Sequence, residues 1–136
     1  VANRKNITMV KLRRIWLTLG GIWVATVVYL SLASHPPEPM RFSNADKLEH
    51  ALAYSFLMLW FCQVYQQHRS RIIVAGLLVA LGIGLEYLQR MTTYRFFDYA
   101  DMLANSAGVL LSLIFMKMGL GQIGIMLETK FFNVTE

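Results

Sequence analysis

A bundle of four α-helices crossing a membrane is the fold class this chain predicts, on three observations. Apolar residues make up 56% of its 136 positions and gather into four runs. Each run is about 17 to 20 residues, near the shortest helix that spans a bilayer at a rise of ~1.5 Å per residue. The basic residues, finally, fall mostly at one set of ends of those runs. One domain is the most a chain of this length supports, and a mean hydropathy of +0.45 is high for a surface that must be wet.

The first run covers residues 15–32, behind a basic stretch at 1–14 that holds Arg4, Lys5, Lys11, Arg13 and Arg14. Lys11 to Arg14 followed by apolar residues, with Ser31-Leu32-Ala33 downstream, resembles a cleavable leader. The apolar stretch exceeds the usual core of such a leader, and its removal would leave three spans, so a retained helix is expected. His35-Pro36-Pro37-Glu38-Pro39 holds all three prolines and breaks the chain before the second run at 48–65. Ser43 and Asp46, at capping-box spacing, are the expected start of that helix.

A short polar loop at 66–70 makes the second and third runs antiparallel neighbours. The third run, 72–91, carries Gly76, Gly82 and Gly84, which allow close helix approach. The outer loop at 92–97 mixes tyrosine, arginine and phenylalanine, as at a headgroup boundary. The fourth run covers 102–118, closing a helical domain at 15–119. Residues 120–136 are apolar but interrupted, which fits a short tail or an interfacial helix. The Asn133-Val134-Thr135 sequon falls on a tail expected in the cytoplasm and carries no weight there.

Charge gives the orientation. Nine of the 13 basic residues share one side if the chain crosses four times, and the other side has only Arg41, Lys47, Arg90 and Arg95. This positive-inside bias places both termini in the cytoplasm. It also accounts for the net charge of +5 without nucleic acid as a partner. The lone Cys62 forms no internal disulfide and reads as a buried structural thiol.

The candidate site comes from polar residues where hydrocarbon should be. Asp46, His50 and Tyr54 are four apart, on an arc of about 80° of one helix face, with Lys47 beside them. Asp98, Asp101, Asn105 and Gly108 form a second stripe at three- and four-residue steps. Glu86, Gln89 and Arg90 form the third, with Glu86 about 7 Å inboard of the helix end by rise alone. Intramembrane ionisable groups of this kind face a bundle interior or a wet recess. Three stripes at one depth predict a common outward-facing pocket. Hydrogen bonding between helices is the bland alternative for each residue taken singly, and Glu86 with Arg90 is also an ordinary four-apart ion pair.

These residues resemble the VanZ-like family of bacterial membrane proteins. The likeness rests on Asp46-Lys47-x-x-His50, Glu86-x-x-Gln89, Arg95, and Asp101-x-x-x-Asn105-x-x-Gly108, and covers about half the chain. Thr93-Tyr94 stands where the family commonly has Pro-Gly, and Ser112 where a second glycine often follows. The resemblance implies a multi-pass protein of the bacterial inner membrane, part of the cell envelope. The namesake's link to teicoplanin resistance is not carried over to this chain.

Three functions remain open on these residues. In the first, an enzyme acts on a membrane lipid or lipid-linked envelope molecule. His50 and Glu86 do the acid–base work, Asp46 and Asp101 orient them, and Arg95, with Arg90 and Lys47, holds an anionic headgroup. Tyr54, Gln89, Asp98 and Asn105 complete the pocket. The second is a non-catalytic module that binds lipid or a partner protein. The third, an ion pathway, is disfavoured because the inner halves of the second and fourth runs are almost wholly apolar. Carboxylates with one histidine can also bind a hard divalent ion. No tight ligand motif appears, so the metal reading is weak, no metal ligand or cofactor-binding residue is assigned, and the cofactor stays open.

Overall fold

A computed structural model of the chain describes residues 5–131, with side chains from residue 12 onward. The three basic residues Arg4, Lys5 and Lys11 and the Asn133 sequon therefore lie outside the described side chains. The described residues are all-α, without a strand: α1 Lys5–Leu32, α2 Ala45–Val64, α3 His68–Arg90, α4 Tyr99–Lys117 and α5 Ile123–Phe131, with a short 3-10 turn at Leu120–Gln122 before α5.

Three helical stretches, Leu12–Leu32, His68–Arg90 and Tyr99–Lys117, are long and apolar enough to cross a membrane. The sequence predicts four. The second run misses because Asp46, Lys47, Glu49 and His50 crowd the first two turns of α2 and dilute its hydropathy. What sets α2 apart is enclosure. Its Tyr54, Leu57, Met58, Cys62, Gln63 and Val64 are all buried, and every other α-helix packs against it.

Polarity is inverted relative to a water-soluble domain. Ile72, Ile73, Leu77 and Leu88 of α3, Leu103, Leu110 and Ile114 of α4, and Ile15, Ile22 and Tyr29 of α1 face outward. Glu86, Gln89, Asp101, Asn105, Ser112 and Glu128 are buried instead. An apolar exterior that encloses ionisable side chains within an apolar core is stable in lipid and a liability in water.

The closest approach joins α2 to α4 at Gly108. A Cβ there would overlap the Ala51 carbonyl oxygen and press Ser55 N at 3.1 Å. Two hydroxyls exploit the proximity: Ser55 Oγ donates to Gly108 O at 2.9 Å, and Ser112 Oγ donates to Ser55 O at 3.0 Å. This contact fixes the register of the two helices that carry His50 and Asp101.

The start of α2 differs from the capping-box expectation. Asn44, not Ser43, is the cap residue, in the left-handed region at φ 61°, and it makes no side-chain cap bond. Asn tolerates that conformation better than most side chains, and Asp46 is engaged by Lys47 rather than by a cap.

At the other end, Arg71 closes α2. Its Nε donates to Tyr65 O at 2.8 Å and its guanidinium to Cys62 O at 3.1 Å, satisfying carbonyls that the helix end leaves open. Arg71→Ala should cost about 1–2 kcal/mol, the scale of charge-assisted hydrogen bonds that are partly wet. Thermal unfolding in detergent micelles, followed by circular dichroism, checks this. α5 packs at the same end, where Trp16 Nε1 donates to Glu128 Oε1 at 2.8 Å and Gly124 N donates to Gln63 Oε1 at 2.9 Å.

Candidate functional site

The C-termini of α1 and α3 and the N-termini of α2 and α4 meet at one end of the molecule. Gln89 Nε2 donates to Ser31 O at 2.7 Å, and Tyr94 donates its hydroxyl to Leu32 O at 3.0 Å, tying α3 and its following loop to α1. Lys47 ties α2 to α4. Its ammonium lies 2.7 Å from Asp46 Oδ2, 2.7 Å from Asp98 Oδ2 and 2.6 Å from Asp101 Oδ1. Partial burial works against that charge, but the hydrogen bonds to Asp101, Asp46 and Asp98 outweigh it and hold the ammonium well above the ordinary lysine range. The same Lys47 hydrogen bond lowers the Asp46 carboxyl. It also lowers that of Asp98, helped by Ala100 N–H, which donates to Asp98 Oδ1 at 2.8 Å as the N-cap of α4.

Beneath Lys47 lies a tighter cluster. His50, Glu86 and Asp101 bring one ligating atom each within 4.8 Å of one another. Asn105, buried one turn along α4 from Asp101, has Oδ1 3.1 Å from His50 Nδ1. An amide oxygen accepts, so Nδ1 carries a proton and Nε2 is the ring nitrogen turned to Asp101. Nε2 lies 3.6 Å from Asp101 Oδ2. Glu86 is 1% exposed, and one of its oxygens accepts from Asp98 N–H at 3.2 Å. The Tyr54 hydroxyl, one turn inboard of His50, is buried without a hydrogen-bond partner. An imidazole and two carboxylates so placed can pass a proton among themselves or chelate a cation.

His50 also lines a cavity of about 940 Å³ between the end of α1, the proline loop and the start of α2. Val27, Leu30, Leu52 and Ala53 form an apolar side, while Glu38, Arg41, Asp46, Glu49, His50 and Arg95 line it with polar side chains. No acid among the described residues lies within ion-pair distance of Arg41 or Arg95.

Most of the predicted pocket residues therefore share one end, but they divide into two groups. His50, Glu86, Asp101 and Asn105 form the buried cluster, while Asp46, Lys47 and Asp98 form a polar clamp above it. Asp46 orients Lys47, not His50. Two expected cations are out of place. Lys47 is taken up by three aspartates, and Arg90 leaves Glu86 to lie over the Phe97 ring at 5.8 Å from its centroid. Arg41, which sequence reasoning passed over, stands with Arg95 on the cavity instead. Its position two residues beyond Pro39, on a rigid extended linker, was the available signal.

An uncharacterized protein of the fission yeast Schizosaccharomyces pombe is 36% identical over 91 residues, covering 63% of this chain. The match takes in 52% of the relative, so the chain spans about half the length of the curated protein it resembles. No protein-family model matches, and no solved structure matches significantly. These findings correct the VanZ-like resemblance, which no family model supports, and the bacterial inner-membrane location and envelope role drawn from it. A eukaryotic relative gives no ground for either. Short polar strings at helix ends arise wherever buried ends need partners, so their order alone carried the likeness too far.

Proposed function

We propose that this chain is an integral membrane protein whose α1 to α4 cross the bilayer as a bundle, with α2 shielded by the other three. In this reading it takes the headgroup of an anionic lipid, or of a lipid-linked molecule, into the cavity between α1 and α2. The observation that carries the proposal is the cavity's two-sided lining. Arg41 and Arg95 have no acid within ion-pair distance among the described residues and suit a phosphate or carboxylate, while Val27, Leu30 and Leu52 suit the start of an acyl chain. His50, in the same wall, brings the buried carboxylate cluster to the headgroup and gives the site a means of acting on it. Recognition without turnover is the second reading, and Lys47 favours it: a cation saturated by three aspartates belongs to a rigid scaffold.

The test is lipid retention. Protein purified in detergent and reconstituted in nanodiscs should bind phosphatidic acid better than phosphatidylcholine. Arg95→Ala should weaken that preference about tenfold, the loss expected for one charge-assisted contact. His50→Ala should keep the bound lipid. If it also leaves cellular lipid composition unchanged, recognition without chemistry is the function. Equal binding of the two lipids by the wild type would sink the headgroup reading altogether.

A further inference from the structure

We infer that His50, Glu86 and Asp101 form a binding site for one divalent transition-metal cation, Zn2+ being the probe, beside the headgroup cavity. This inference deepens the lipid reading and rests on it only for the cation's purpose. The chelating geometry stands by itself.

Electrostatics supply the first reason. Ligating atoms of Glu86 and Asp101 lie within 4.8 Å of each other and of His50, and both acids are buried. Two carboxylates that close in a poorly hydrated interior repel strongly unless a positive charge lies between them. Lys47 does not supply it. It sits on the outer side, on Asp101 Oδ1, and divides its charge among three aspartates.

The imidazole supplies the second reason. With Nδ1–H given to Asn105, Nε2 faces Asp101 Oδ2 at 3.6 Å. That separation is long for a hydrogen bond and close to that of two ligand atoms sharing one cation. A cation about 2.0–2.2 Å from each nitrogen or oxygen needs ligand atoms to close by only about an ångström. Metal-bound histidines characteristically give their other ring N–H to a fixed acceptor, the part Asn105 plays. Asp101 is held in the same way, one oxygen on Lys47 and the other facing the site.

Tyr54 is an independent pointer. Its hydroxyl is buried, unpartnered, on the His50 face of α2, and within electrostatic reach of Glu86. A buried hydroxyl without a partner is costly, and a bound cation or its water would satisfy it. One nitrogen with carboxylate oxygens favours Zn2+ or Mn2+ over Mg2+ and Ca2+, which prefer all-oxygen sets. Three protein ligands leave further coordination positions open. Of the three ligands His50 also lines the cavity, so the site adjoins the space where the phosphate or carboxylate of a headgroup would sit.

The experiment uses the full chain in detergent, treated with EDTA and titrated calorimetrically with ZnCl2. Wild type should take up one equivalent, and the binding should weaken at least about tenfold in Glu86→Gln and in Asp101→Asn. Zn2+ should also raise the unfolding temperature of the wild type but not of Glu86→Gln, with helix content by circular dichroism showing that both are folded. Co2+ titration adds a direct signature, since visible d–d bands should appear in wild type and vanish in His50→Ala. Zn2+ uptake no tighter than that of folded Glu86→Gln would overturn the inference and leave a protonated acid pair as the account of the cluster. Phosphatidic acid binding by the EDTA-treated protein separates the two proposals. Retained lipid without Zn2+ uptake removes the metal site alone, and Zn2+ uptake without lipid preference removes the headgroup reading alone.

Discussion

Lys47→Met should destabilise the fold by about 3 kcal/mol or more, the scale found when one partner of a buried ion pair is removed. The cost comes mainly from Asp101, whose side chain is 12% exposed and is left without the ammonium. Asp46 and Asp98 are 60% and 45% exposed and relax into solvent, so they add little. Urea unfolding in mixed micelles measures the loss. Its pH dependence carries a sign that distinguishes this mechanism. Asp46 and Asp98 titrate below the ordinary value of 3.8, so their stabilising share is present above that value and is lost as pH falls through their lower folded values. Lys47 is raised, so its share is complete below 10.5 and disappears only as pH rises through a still higher value. Wild type should therefore lose the small Asp46 and Asp98 share below about pH 4, with no loss from the clamp between neutral pH and 10. Lys47→Met should lack that acid-side loss, having forfeited the interaction at every pH.

Gly108→Ala should be the second severe change, at about 2–3 kcal/mol for a methyl forced against backbone in a packed interface. The Ala51 carbonyl cannot swing aside as a flexible side-chain end would, so α2 and α4 must separate along their length. The Ser55 and Ser112 hydrogen bonds across that interface would stretch with them. Gly84→Ala is the matched control. Nothing lies within 4 Å of a Cβ at Gly84, and alanine there should be neutral or stabilising by up to about 1 kcal/mol. Unfolding temperatures of the two variants, measured side by side, check the contrast.

Helical period made part of this legible beforehand. Asp101, Asn105 and Gly108 recur at three- and four-residue steps, so their shared face follows from the geometry of any α-helix. Asp46, His50 and Tyr54 follow in the same way. The convergence of three stripes at one depth required only antiparallel connections, and the short loop before α3 supplied them. The division of labour was hidden because it is tertiary. Nothing local to Lys47 says that Asp98 and Asp101 will reach it from a helix some fifty positions away. Nothing local to Arg90 says that Phe97 will draw it off Glu86. The rank of α2 was obscured for another reason. Counting apolar residues weighs composition, which the charged first turns of α2 dilute, and is blind to the enclosure that its neighbours provide. Lineage was the least legible of all, since polar residues at helix ends answer to hydrogen-bonding needs common to many unrelated chains.

The tight Gly108 contact joins α2 to α4, with α3 lying between them in sequence. During synthesis, then, the most intimate pairing in the molecule cannot form as a simple hairpin. α3 must be laid down first, and until α4 arrives His50 and Glu86 stand without Asp101, Asn105 or the clamp. A nascent chain ending after Arg90 would hold an imidazole and a carboxylate with half their partners still on the ribosome. Completion of the polar centre thus coincides with emergence of the fourth helix.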